Sequence, residues 1–405
     1  MKKWLILIAL AVCLFPSFGL AATAPASAAS PAPAASGQSE SQNADFDAEL
    51  RDTLFNTDLS GLEGKYNEYL KSLSGKDAQG MVYDLSNGDF SSLSPGGVLA
   101  AVFGQILSGV RNNIPVMVQI LVILLVMSVL TQLNTLGGGQ SVSGTARYVG
   151  YIIVCGLIIS IVFSIFNSGR DVVQAVSSFT EYLTPVLFTL LSAIGGFTSA
   201  SILKPAVTAF TGGIAQIIIL YVFPALIINM VFVFIGNLSS NLNLKGFSSL
   251  LDSLIKWSLG IIFIVFLGMV AIQGVGAGLF DGISIRTAKY TIDRTIPVVG
   301  GMFSESVDTV VACSALVKNA VGITGLVTII SILAAPAINM IINIFLLKIL
   351  AAICAPFSDE RSVEMLNGTT NVITLLLVTV MTIGVMAFIL VAILMGVGNI
   401  NMMMR

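Results

Sequence analysis

From Asn112 to Phe280 the chain carries eight charged residues in 169 positions. Soluble chains are about one quarter charged, so the solvent for this stretch is lipid and not water. In lipid the backbone polar groups must be satisfied within the protein, which makes helices of spanning length the natural solution. Apolar runs of that length occur at Ile114 to Leu133, Tyr148 to Phe166, Pro205 to Ile235, Trp257 to Phe280, Val321 to Ile353 and Val372 to Val397. The expected fold is all-α, a polytopic α-helical integral membrane protein of six to eight spans.

Composition removes several function classes. With 56% hydrophobic and 10% charged residues, a mean hydropathy of +0.95 and a net charge of -2, the chain has no general attraction for nucleic acid. It has no histidine, and its four cysteines, Cys13, Cys155, Cys313 and Cys354, are far apart. That excludes histidine-based zinc sites and paired CxxC ligands, so no metal site is expected. No nucleophile–base pair or phosphate loop stands out either. Neither enzymatic activity nor a cofactor is expected.

Residues 1–24 have two lysines, an apolar run from Trp4 to Phe15 and the small-residue site Ala22-Thr23-Ala24, the pattern of a secretory signal peptide. Cleavage there would start the mature chain near Pro25, outside the cytoplasm; an uncleaved anchor helix is the other reading. Residues 25–44, rich in Ala, Pro and Ser, read as a disordered linker. Residues 45–113 form a polar module with ten acidic and five basic residues. Ser60 and Glu63 have capping-box spacing, and Ser94-Pro95 predicts another helix start, with a helix that could lie in the headgroup plane.

The two longest apolar runs resemble each other. Lys204-Pro-Ala-Val, Thr211-Gly212, Pro224-Ala225 and Asn229-Met230 recur as Lys318-Asn-Ala-Val, Thr324-Gly325, Pro336-Ala337 and Asn339-Met340. The register predicts a duplication, with first spans at 114–169, units at 170–281 and 282–398, and a tail at 399–405. Pro224 and Pro336 predict tilts, kinks or breaks.

Seven charged residues lie between Gly282 and Gly322: Arg286, Lys289, Asp293, Arg294, Glu305, Asp308 and Lys318. This polar island occupies the slot of the apolar, glycine-interrupted Pro185 to Leu203. Matching interrupted segments in two halves point to discontinuous helices at a transport centre. The expectation is a basic helix over Gly282 to Thr295 on the cytoplasmic side, a break at Pro297 to Gly301 and a partly buried helix from Phe303. Arg286, Lys289 and Arg294 suit either a solvated surface helix or a docking site. Glu305 and Asp308 suit either an ion or substrate path or a plain surface. Lysine and arginine counts favour neither topology. Gly274, Gly278 and Gly282 form a ridge for close helix packing.

DGISIRTAKYTIDRTIPVVGGMFSESVDTVVACSALVKNAVG, together with the GNINMMMR end, resembles the stage III sporulation protein AE family of endospore-forming bacteria. The resemblance implies a component of a complex in the mother-cell membrane around the forespore. Its implied partners are a cytoplasmic secretion-type ATPase, small integral membrane subunits and ring-forming proteins of the intermembrane space. The implied role is the membrane core of a channel or transporter required for forespore development. A non-conducting scaffold for the ATPase and rings, or a stand-alone secondary transporter, are the alternatives.

Overall fold

In the computed structural model, the described backbone covers residues 65–86, 95–137, 140–238, 244–295 and 300–403; the described side chains exclude residues 65, 72–74, 95–101, 130–137, 140–148, 238, 274–308 and 398–403. The signal peptide, linker and capping box therefore lie outside the described residues. The described regular structure is entirely helical, as the apolar runs require.

Two short helices come first, α1 (Lys65–Ser74) and α2 (Ala78–Ser86). Gly75, with φ 74, ends α1, and its N–H reaches the Lys71 carbonyl at 3.0 Å, a glycine C-cap that turns the chain into α2. Leu70, Met81 and Val82 are fully buried where these helices pack on the bundle. Tyr66 sets its ring edge on Phe179, 4.9 Å between centroids.

The bundle consists of α3 (Pro95–Gly137), α4 (Gln140–Ala193), α5 (Phe197–Thr208), α6 (Phe223–Leu238), α7 (Lys245–Thr295), α8 (Gly300–Cys354) and α9 (Glu360–Met403). Between α5 and α6 the helix continues through two π-helical segments, Ala209–Ile214 and Ile218–Val222. Counting α5 to α6 as one rod, six helical stretches among the described residues are long and apolar enough to cross a membrane.

Side-chain contacts order these rods. Tyr151 donates to the Phe234 carbonyl at 3.1 Å, Cys155 lies 3.4 Å from the Met365 sulfur, and the Ser128 hydroxyl bonds the Phe357 carbonyl. These contacts gather one end of the bundle, where the end of α6 and the first half of α4 meet the turn at 355–359 and the start of α9. Farther along α4, Gly169 abuts Met340 and Leu376, and Gly325 abuts Leu183. Leu191 and Ile194 cluster with Val311 and Ala315 at the other end. Thus α4 runs antiparallel to α8 and parallel to α9.

A helix of 54 residues is roughly 80 Å long, against a hydrocarbon core of ~30 Å, so part of each rod must leave the bilayer. The outward face of α4 locates the exit. Ile152, Ile153, Ile159 and Phe163 are exposed apolar residues, whereas the exposed residues from there to Glu181 include Asn167, Arg170, Asp171, Gln174 and Glu181. The apolar belt occupies the loop end. The outer half has polar exposed residues on α5 also, Thr198, Ser201, Lys204 and Thr208. Its apolar stretches on α8 and α9 are largely core, with Val321, Ile329, Ile383 and Met386 fully buried, whereas on α7, whose Phe266 packs on Phe210 at the height of Ser177, Ile264 and Val265 are exposed, so the apolar surface reaches farther out on that side.

Several expectations change. The helix that begins at Pro95 continues through Pro115 into the first span as a single rod, so it does not lie in the membrane plane. Gly109 against Ile342 and Asn113 bonded to Asn339 hold it along α8. Pro185 to Leu203 is the tip of the α4/α5 hairpin and not a separate span, with Gly195 at φ 88 making the turn. The module docks at the height of Phe179, on the same outer side as that tip and the start of α8. Module and island therefore share one side, against the expectation that the island faces the cytoplasm while the module does not. The unit boundaries 169/170 and 281/282 fall inside α4 and α7. Pro224 follows a π segment, but Pro336 sits within unbroken α8.

Candidate functional site

Lys318 projects from α8 into the contact with α9 and is 0% exposed. Its Nζ donates to the Met395 carbonyl at 2.9 Å. One turn on, Gly322 makes the approach possible, because a Cβ there would lie 3.0 Å from the Met395 Cγ and Sδ. A second notch, Gly384 against Leu333, brings α8 and α9 together farther down. An ammonium has three donors, and no carboxylate among the described residues lies within 4 Å of this one. Asn319 Oδ1 and Thr324 Oγ1 on the same helix are also buried and without a hydrogen-bond partner. An unpaired buried cation is costly, which makes Lys318 the most demanding described group in the outer half.

Other buried hydroxyls do not share that cost. Thr180, Thr184, Thr328, Ser331, Thr369, Thr370 and Thr379 each donate to the carbonyl four residues back in their own helix.

A second polar centre lies at the loop end, in the apolar belt. Asn229 of α6, fully buried, donates through Nδ2 to Asp252 Oδ1 of α7 at 2.5 Å and accepts at Oδ1 from the Ser248 hydroxyl at 2.7 Å. Lys256 approaches the other Asp252 oxygen at 4.0 Å. A third joins α3 to α8: Asn113 donates to Asn339 Oδ1 at 3.2 Å, and Asn343 donates to the Asn339 carbonyl at 2.9 Å. Asn229 and Asn339 are matched positions of the sequence repeat, and both bond to a neighbouring rod. Their partner Lys positions diverge, with Lys204 exposed and Lys318 buried. In the π segment, the Thr211 carbonyl accepts from Ser177 at 3.2 Å, a polar supplement suited to an irregular helix.

Arg286, Lys289, Asp293 and Arg294 lie on α7, and Glu305 and Asp308 on α8, but their side chains lie outside the described residues. Gly274, Gly278 and Gly282 are helical in α7, with surroundings likewise outside them. Of the break expected at Pro297 to Gly301, residues 297–299 lie outside the described residues, Gly300 and Gly301 are helical, and Phe303 belongs to the same α8 as Pro336. The Asp252 centre was not singled out from sequence. Its signal was available, since Asp252 is the only acid between Glu181 and Asp281. Among the described residues no three His, Cys, Asp or Glu side chains are grouped to hold a metal.

These features define a polytopic membrane protein whose rods are longer than a bilayer is thick, joined by a few buried polar contacts. A model of the family described as stage III sporulation protein AE matches residues 76–398, and the chain belongs to that family. It is 27% identical over 327 residues to "Stage III sporulation protein AE" of Bacillus subtilis (strain 168), covering 81% of this chain and 82% of the relative. No solved structure matches.

Proposed function

We propose that the protein is the membrane core subunit of a sporulation complex in the mother-cell membrane around the forespore, and that it takes part in a transport path required for forespore development. The observation that carries this reading is the family match from residue 76 to 398, nearly the whole membrane part. The module and the outer halves of the rods would face the intermembrane space and meet its ring proteins. The loop end would face the mother-cell cytoplasm, the ATPase and the small membrane subunits. The protein would catalyse no reaction of its own.

The interior of a single chain is filled by large side chains such as Phe179, Phe210 and Phe266, all fully buried. That favours a path built at the surface of the chain with its neighbours. It also supports the second reading, a scaffold that conducts nothing.

Cysteine substitution tests the orientation. Gln174→Cys and Glu181→Cys should react with an impermeant reagent from the extracytoplasmic side; reaction only from the cytoplasm would overturn it. Loss of the chain in an endospore former should block forespore development after engulfment, with rescue by the full-length protein. Normal spores without the chain or any relative would defeat the proposed role.

A further inference from the structure

We infer that α9 presents a hydrated wall inside the bilayer, formed by Glu360, Glu364, Asn367 and Asn371, and that this wall lines the transport path. The inference rests on the transport reading above and names the face that performs it. The four residues are spaced i, i+4, i+7 and i+11, which places them on one side of a helix. Glu360, Asn367 and Asn371 are exposed, and Glu364 is half-buried.

Neighbouring rods give the height of this stripe. Met365 is level with Cys155, and Leu376 is level with Gly169. Asn367 and Asn371 therefore lie at the level of Ile159 and Phe163, which are 49% and 66% exposed in the apolar belt. Gly368 packs on Val233 of α6, whose neighbours Val231 and Ile235 are exposed apolar residues of the same belt. At this end the other rods expose apolar side chains such as Phe345 and Ile349 of α8 and Leu250 and Leu254 of α7, with Lys348, Ser253 and Lys256 among them, and α9 shows amides. Neither amide bonds to a described residue.

Exposed amides do not face hydrocarbon without cost, and polar residues at membrane depth turn toward protein or a water-filled cavity. The bundle leaves this face uncovered. At the loop end, Glu364 pairs with Lys245 at 2.7 Å, and Glu360 continues the same stripe. Arg361 lies one residue off it. A solute entering from that end meets the Glu364–Lys245 pair and the adjacent Glu360 and Arg361, charges that balance, and then neutral amides, a wall suited to neutral polar solutes.

The test uses the full chain in sporulating cells, with Cys13, Cys155, Cys313 and Cys354 replaced and normal spore formation verified. Asn367→Cys and Asn371→Cys are compared with Ile159→Cys and Phe163→Cys, using a charged, membrane-impermeant thiol reagent on opened cells. Labelling at 367 and 371 should be at least about tenfold faster than at 159 and 163, because the reagent attacks the thiolate and a thiol in hydrocarbon stays protonated. Protection at 367 and 371 in the cell with labelling in purified detergent-solubilised protein would mean that a partner helix covers the face, and would overturn the inference. Protection in both settings would overturn it as well. Asn371→Trp separates this inference from the reading beneath it. A wet face whose obstruction leaves sporulation intact supports the hydrated wall and counts against transport along it.

Discussion

Lys318 Nζ and the Met395 carbonyl oxygen lie 2.9 Å apart, joining helices whose contacting residues are 77 positions apart in sequence. The bond is the one described polar contact of a fully buried ammonium, so it bears on both stability and function. Lys318→Met keeps the length of the side chain and removes the charge. Its unfolding free energy should be unchanged or raised by up to about 2 kcal/mol, because a packed apolar chain replaces a buried cation. Lys318→Ala leaves a void and should cost about 2–4 kcal/mol. Thermal unfolding in detergent measures both. If the cation has a functional role, Lys318→Met should fold at normal yield and lower spore counts; full sporulation would make it a packing residue only.

The glycine notches predict a different pattern. A Cβ on Gly384 would lie 2.2 Å from Leu333 Cδ1, and one on Gly325 would lie 2.5 Å from Leu183 Cδ2. Leucine ends can rotate away, so alanine at either site should cost little. Leucine cannot be accommodated without separating the rods, and Gly384→Leu or Gly325→Leu should each destabilise by roughly 1–3 kcal/mol. Melting temperatures of the purified variants distinguish the two sizes of substitution.

At the loop end, Asn229→Leu removes a donor to Asp252 and an acceptor for Ser248 together. We expect a loss of about 1–2 kcal/mol, near the upper limit for polar contacts between membrane helices. Ser248→Ala in the Asn229→Leu background should add almost nothing, because its partner is already gone. A double-mutant cycle on unfolding free energies checks this, and fully additive losses would contradict the bond.

Tyr66 lies outside the membrane part and is packed on Phe179. Burial raises its pKa above the usual tyrosine value of 10.0, with added contributions in the same direction from Tyr182, Tyr69 and Glu181. A phenol whose folded-state pKa is raised stabilises docking fully below the unfolded value and loses that contribution as pH rises through the folded one. Docking of α1 should therefore weaken above about pH 10. Tyr66→Phe should keep the ring contact and remove this phase. Proteolytic cutting near residue 75, followed against pH, reads the effect; an unchanged pH profile in Tyr66→Phe would assign it to another group.

Much of this protein was legible from its sequence because lipid imposes one simple demand, and scarcity of charge announces it. The all-helical class, the six apolar stretches and the proline that opens α3 all follow from local chemistry. The family was legible as well, in the polar island. Where the bilayer stops was not. The runs on α8 and α9 are as apolar as a lipid-facing span, yet much of their length packs against other rods in the outer half, and hydropathy cannot distinguish lipid from protein as the neighbour. The outward residues of α4 and α5 turn polar there while Ile264 and Val265 of α7 stay apolar and exposed, and identifying them required knowing which faces the other rods cover. The same holds for the polar contacts. Lys204 and Lys318 occupy one motif position, but one is exposed while the other is enclosed between α8 and α9, because Gly322 and Gly384 allow that particular pair of helices to close. Asn367 and Asn371 are ordinary amides in a sequence; their meaning comes from lying at the level of an exposed phenylalanine on another rod. Sequence determined the solvent and the elements, through each segment's own transfer energy. Tertiary packing decided which polar groups that solvent can reach.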